Sequence, residues 1–151
     1  MSALARLEEL GITLPPVVAP VAAYVPARRT GQLVYTSGQV PMVDGALPHV
    51  GLVGDAVSPE DAADSARIAA LNALAAIHAL VGLDAVAGVI KVVGYVASAP
   101  GFTGQPAVIN GASELLGQVF GDAGAHARSA VGVAALPLGA PVEVELIVEL
   151  R

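Results

Sequence analysis

The chain contains no cysteine, which excludes disulfides, thiolate nucleophiles and cysteine-bound zinc. It is also poor in charge. Only 13% of its residues are Asp, Glu, Lys or Arg, where a self-contained domain has about a quarter. Positive charge is the scarcer sign, with seven Lys and Arg against thirteen Asp and Glu, a formal net charge of −6, and Lys91 as the single lysine. Nucleic-acid binding draws on counterions released from phosphates by Lys and Arg, so no nucleic-acid partner is expected. There is no GxxxxGK[ST] phosphate loop, and no GxGxxG between a strand and a helix. The three histidines, His49, His78 and His126, share no metal-binding spacing, and neither HxxxH nor HExxH occurs. No metal is expected.

Apolar residues, by contrast, make up 55% of the 151 positions. A chain of 14.9 kDa folds to a surface of about 7,000 Å² from about 21,600 Å² unfolded, enough for a real core. One domain is expected over residues 1–151, with residues 1–16 an N-terminal extension. With so few charges, much of the surface must be apolar or small, and large apolar patches mark partner surfaces. An obligate oligomer is the expectation. A membrane protein is the competing explanation for a mean hydropathy of +0.71. The uncharged run Leu10 to Ala27 holds Pro15, Pro16, Pro20 and Pro26, which no spanning helix would carry together. The run Ile68 to Leu83 has 16 residues, short of the ~20 needed. Arg6 is followed by Glu8 and Glu9, where a signal peptide needs its apolar stretch. A soluble, cytoplasmic protein without a membrane partner is expected.

The elements read in order. Ser2 to Leu10 is a short amphipathic helix, with Leu4, Leu7 and Leu10 on one stripe and Gly11 ending it. Val21 to Ala27 and Leu33 to Ser37 are strands flanking a hairpin turn at Arg28-Arg29-Thr30-Gly31. Val40 to Val57 is a Gly- and Pro-rich loop. Ser58 caps a long helix, with Pro59 at its first position and Glu60 and Asp61 at the positive end of its dipole. That helix runs to Val81 and stops at Gly82. Val86 to Val96, apolar on both phases, reads as a central strand. A second helix covers Ala107 to Phe120, Ser129 to Ala134 is a short strand, and Val142 to Leu150 alternates apolar residues with Glu143, Glu145 and Glu149. The order β-β-α-β-α-β-β predicts an α+β fold, a mixed sheet with two helices packed on one face. The other face then needs cover, which other copies of the sheet would supply.

Arg128 is the first candidate for chemistry. It opens the apolar segment Arg128-Ser-Ala-Val-Gly-Val133, with no acid within five positions on either side. An arginine beside a dry sheet needs an anionic partner, and its fork of donors suits a ligand carboxylate. The plainer alternative is an interchain salt bridge to Glu143 or Glu145. Glu143 is the second candidate, against the alternative of a solvated strand face shared with Glu145 and Glu149. Tyr24 offers a phenol to a pocket or to an interface, and Arg28 and Arg29 read as a solvated turn.

Thr36-Ser-Gly-Gln-Val-Pro41, Ala127-Arg-Ser-Ala-Val-Gly-Val133, Leu136-Pro137 and Val142-Glu-Val-Glu145 together resemble the RidA/YjgF family of reactive-intermediate deaminases. The resemblance runs from about Val21 to Leu150, with the motifs in family order. It implies a chorismate-mutase-like fold, a homotrimer and three ligand clefts between subunits. It further implies hydrolysis of small 2-imino or enamino acids to 2-keto acids and ammonia, with no cofactor. In that family's terms Arg128 matches the arginine that holds a small carboxylate ligand, and Glu143 the glutamate that positions or activates water. Tyr24, Ser37, Gly38 and Asn110 match pocket positions, and the Ala130 backbone matches a main-chain contact to the ligand. Ala130 stands where the deaminases usually have cysteine or another polar residue, and Gly132 where many have glutamate. The loops Pro48 to Val57 and Ala97 to Gln105 look longer than usual, as in a divergent, longer branch. The same residues would also serve a hydrolase of another activated C–N bond, a non-catalytic trimer that binds a small carboxylate, or a chaperone-like one.

Overall fold

The structure is a computed structural model and describes residues 1–20 and 22–151. Its helices are α1 (Ala3–Glu9), α2 (Pro59–Val81) and α3 (Gln105–Phe120). Its strands are β1 (Ala27–Thr30), β2 (Leu33–Thr36), β3 (Val86–Ala97), β4 (Ala127–Val133) and β5 (Val142–Leu150). The strands form one sheet in the order β1-β2-β5-β3-β4, antiparallel except for the parallel pair β3–β4. The expected α+β class, a mixed sheet with helices on one face, is what the chain forms.

The hairpin differs from expectation. Arg28, Arg29 and Thr30 are strand residues, and the turn is the two-residue Gly31-Gln32, with Thr30 opposite Leu33. Gly31 adopts φ +57°, the left-handed conformation that such a tight turn needs and glycine supplies without steric cost. The arginines looked like a turn because they are polar, but β1 is an edge strand and leaves them exposed. The expected strand at Val21 to Ala27 therefore shifts downstream, and its first residue lies outside the described ones.

The capping signals of α2 act as written. Ser58 Oγ accepts from the Asp61 N–H at 3.1 Å, and Gly82 ends the helix at φ +80°. His78 serves the same terminus, its Nδ1 accepting from the Leu83 N–H at 3.1 Å. Ala62, Ala66, Ala69, Ala70 and Ala73 are fully buried. Their small side chains bring α2 close to α3 and to the sheet, where Val34, Val92, Val144, Leu146 and Val148 are also buried. With 23 residues, α2 is long and apolar enough to cross a membrane by length and composition, although its uncharged run, Ile68 to Leu83, has only 16 residues. Its buried stripe makes it the core helix of this fold. Asn72, buried in α2, donates through Nδ2 to the carbonyls of Val40 and Met42, both at 3.1 Å. It thereby ties down the start of the loop that enters from β2. The third helix, α1, packs beside α3 and the turn before β3.

The opposite face of the sheet has no element over it among the described residues. Lateral pairing places Tyr35, Ile147, Lys91 and Ala127 in one row across it. Glu145, Val93 and Ser129 form the next row, and Glu143, Tyr95 and Val131 the third. Val93 and Tyr95 on this face explain why β3 looked apolar on both phases. Tyr35, Ile90 and Val131 are exposed, so this face carries apolar surface that solvent alone serves poorly.

Candidate functional site

Arg128 lies on the edge strand β4, opposite Val92 of β3. Residues paired across a sheet share a face, and Val92 is buried under the helices, so Arg128 reaches toward α3. Its Nη1 donates to Asn110 Oδ1 at 2.8 Å and to Ser113 Oγ at 3.2 Å, and its Nη2 donates to the Pro106 carbonyl at 3.3 Å. Three of the five guanidinium N–H groups are engaged, all by neutral acceptors. The Nε–H and one Nη2–H have no partner among the described residues, and no carboxylate neutralises the charge there. A half-buried cation held in place by uncharged groups, with a pair of donors left over, has the geometry to accept an anion. Asn110 thus stands beside Arg128. Ala130, two residues along β4, is partly buried against the core.

The second group of residues lies elsewhere. Glu143 pairs laterally with Tyr95 and, through it, with Val131 on the open face. Gly38, just beyond β2, leaves its side-chain volume to Glu143. A Cβ there would overlap the Glu143 carboxylate, with its Cδ at 2.8 Å. Desolvation by burial, followed by the negative charge of Glu145, raises the Glu143 pKa above its ordinary value. A carboxyl so perturbed is better matched to moving protons near neutral pH than an ordinary glutamate. Glu145 in turn accepts from the Tyr95 hydroxyl at 3.0 Å. That hydrogen bond is the main cause of the raised Tyr95 pKa, with burial and the two glutamates adding to it. Ser37 Oγ donates to the Val25 carbonyl at 2.6 Å, and Ser37, Tyr24, Arg28 and Tyr35 line one shallow recess of about 480 Å³.

The seven residues singled out in the sequence therefore fall into two groups within one chain. Arg128, Asn110 and Ala130 are on the helix side of the sheet edge. Glu143, Gly38, Ser37 and Tyr24 border the open face. Within a single copy, Arg128 and Glu143 point to opposite sides of the sheet. Sequence reading missed Arg28, whose place in the recess with Tyr24 follows from the displaced hairpin. It also missed Ser113 and Tyr95, which carry no motif, and the role of Glu145, which closes the Val142-Glu-Val-Glu145 motif. Gly132 has a local explanation: a Cβ there would stand 2.8 Å from Gln105 Nε2, so Gln105 occupies the space a longer side chain would need. Gln105 itself donates to the Ser98 hydroxyl and the Phe102 carbonyl at 3.1 and 2.8 Å, closing the loop ahead of α3.

Comparison with known proteins gives this geometry a context. The family described as Endoribonuclease L-PSP matches residues 16–150. The chain is 43% identical to protein TCP17 of Trypanosoma cruzi over 97% of its own length and 93% of that protein's. It is 46% identical to the crystal structure of Atu1372, of unknown function, from Agrobacterium tumefaciens, with TM-score 0.91, covering 99% of this chain and 92% of that one. The crystal structure of E. coli TdcF with bound serine is 29% identical, with TM-score 0.61, covering 91% of this chain and 94% of that one. Matched in sequence over nearly its whole length and in fold across the sheet and its helices, the chain belongs to the Endoribonuclease L-PSP family, which includes the YjgF and RidA proteins.

Proposed function

We propose that the protein hydrolyses small, reactive 2-imino or enamino acids to 2-keto acids and ammonia, in clefts between the subunits of a cytoplasmic homotrimer with the chorismate-mutase-like fold. The observation that carries this reading is the division of labour between Arg128 and Glu143. One is an uncompensated cation with two free donors, the other a carboxyl of raised pKa, and they face opposite sides of one sheet. Neither can serve the same small molecule unless a second copy brings its open face to the β4 edge of the first. The exposed apolar residues of that face support such packing.

In the cleft the Arg128 Nε–H and Nη2–H hold the substrate carboxylate, and Asn110, Ser113 and Pro106 keep the guanidinium still. Glu143 of a second copy orients a water against the C=N carbon. As the water oxygen attacks, its proton passes to the Glu143 carboxylate and the C=N electron pair moves onto nitrogen, giving a carbinolamine. The proton then goes from Glu143 to that nitrogen. The C–N bond breaks and ammonia leaves, while the hydroxyl passes its proton back to the Glu143 carboxylate as the ketone forms. TdcF with bound serine supports the ligand class, since serine also carries nitrogen on the carbon beside its carboxylate. The family's description as an endoribonuclease is the alternative. It meets a formal charge of −6 per chain and one lysine, which a trimer would triple in the repulsive direction.

The test generates an imino acid from an amino acid with an oxidase, traps it with semicarbazide, and follows loss of trapped product. Wild type should lower the signal and Arg128→Ala should not. Glu143→Gln should lower turnover while sparing carboxylate binding. Trimers assembled from a mixture of the two variants should regain part of the activity, because some clefts then receive both native residues. No regain on mixing would end the shared-cleft reading, and equal activity of wild type and Arg128→Ala would end the clamp. Light scattering should give the mass of three chains.

A further inference from the structure

His126 lies two residues before Arg128, at the entry to β4, and has two ring contacts of defined polarity. Its Nδ1 is 2.6 Å from the Gly124 carbonyl oxygen, and its Nε2 is 2.9 Å from Ser113 Oγ. A carbonyl oxygen only accepts, so in the neutral imidazole the proton is on Nδ1 and the lone pair on Nε2. Ser113 then donates its one hydroxyl proton to Nε2. This leaves the oxygen lone pairs of Ser113 to the Arg128 Nη1. The result is a directed chain, Arg128 to Ser113 to His126 to the Gly124 carbonyl, in which each donor has one acceptor. The acids on neighbouring elements, Glu114 of α3 and Asp122 of the turn before β4, form no ion pair with His126, and Lys91 of β3 sits beside Ala127 rather than His126 in the pairing.

We propose that Ser113 and His126 are positioning residues for the carboxylate-binding guanidinium of Arg128. This rests on the reading of Arg128 as the carboxylate clamp. A long arginine on an edge strand has much rotamer freedom to lose. Asn110 and Ser113 fix Nη1 from two directions, so the unengaged Nε–H and Nη2–H keep one orientation. His126 keeps Ser113 an acceptor toward Arg128; without Nε2 the hydroxyl would be free to turn its proton toward the guanidinium. Removing either residue therefore weakens carboxylate binding while the water-directing carboxyl is untouched.

The experiment titrates the intact protein with pyruvate, the simplest 2-keto acid, and measures imine hydrolysis alongside. Ser113→Ala and His126→Leu should weaken pyruvate binding and raise KM about tenfold, the order expected for one charge-assisted hydrogen bond, with kcat nearly unchanged. Ser113→Thr, which keeps the hydroxyl, and His126→Gln, which offers an acceptor near the place of Nε2, should recover most of the affinity. Wild-type affinity in the two ablating variants overturns the proposal, as does failure of both conservative variants, since the groups would then matter only for packing. Arg128→Ala separates the two claims. If it abolishes pyruvate binding while Ser113→Ala and His126→Leu do not, the clamp stands and the positioning role falls; if it binds like wild type, the clamp itself falls. Nitrogen-15 shifts of the free protein should show His126 protonated on Nδ1 and not on Nε2, and the reverse tautomer overturns the proposal whatever the ligand.

Discussion

Gly38 and Glu143 occupy what would be one side-chain volume: a Cβ on residue 38 would collide with the Glu143 carboxylate. Glycine here is a clearance for the Glu143 carboxyl. Gly38→Ala should displace that carboxyl by about an ångström or force the backbone away from it. An error of that size lowers turnover by about 100-fold where geometry sets the rate. Turnover measured beside a circular-dichroism melt tests it, with an intact fold and reduced kcat as the expected pair.

Glu143 also carries a stability cost with a definite sign. Its folded-state pKa lies above the ordinary 4.5, because burial and then Glu145 disfavour the charged form. The folded state therefore binds the proton more tightly than the unfolded one, and stability falls as pH rises through the raised pKa. Glu143→Gln should flatten this part of the profile and melt higher than wild type at pH 7, with the difference vanishing below about pH 4.5. The same substitution should lower kcat by about 10² to 10⁴. Thermal melts from pH 4 to pH 8 check the first half, and a lower melting point for the variant at pH 7 would refute it.

Glu145 is the second cause of that raised pKa. Glu145→Gln removes a neighbouring negative charge and leaves burial in place. The acid limb of the kcat profile should then move to lower pH without reaching the range of a free glutamate. An unmoved limb would mean that the activity does not titrate with Glu143.

Two glycines of α3 should respond oppositely to alanine. A Cβ at Gly111 would overlap the Ala63 carbonyl of α2, whereas nothing lies within 4 Å of a Cβ at Gly117. Gly111→Ala has to push two packed helices apart and should cost about 1–3 kcal/mol. Gly117→Ala, exposed in the helix interior, should gain up to about 1 kcal/mol from lost unfolded-state entropy and better helix propensity. Urea midpoints of the two variants should move in opposite directions.

Local chemistry was legible where its partners are close in sequence. Ser58, Pro59 and Gly82 delimit α2 because capping involves groups a few residues apart, and the alternation of Val142 to Leu150 exposes which phase of β5 meets the core. The Gly31-Gln32 turn escaped notice because two exposed arginines on an edge strand have the composition of a loop. Hydropathy spoke against a membrane span in α2 only through the shortness of its uncharged run, and packing against the sheet is what makes it the core helix.

The residue types at the site were also readable: an isolated arginine at the head of an apolar strand, and a glutamate on an alternating one. Their relation was not. Whether Arg128 and Glu143 face each other depends on lateral register, β4 beside β3 and β3 beside β5, and register is set by long-range pairing that no local pattern encodes. The tertiary structure alone turned them to opposite faces, aimed Asn110 and Ser113 at the guanidinium, and buried Glu143 enough to raise its pKa. Propensity and capping act over one turn of chain, whereas a site is assembled across the sheet, and that distance separates what the sequence determined from what folding decided.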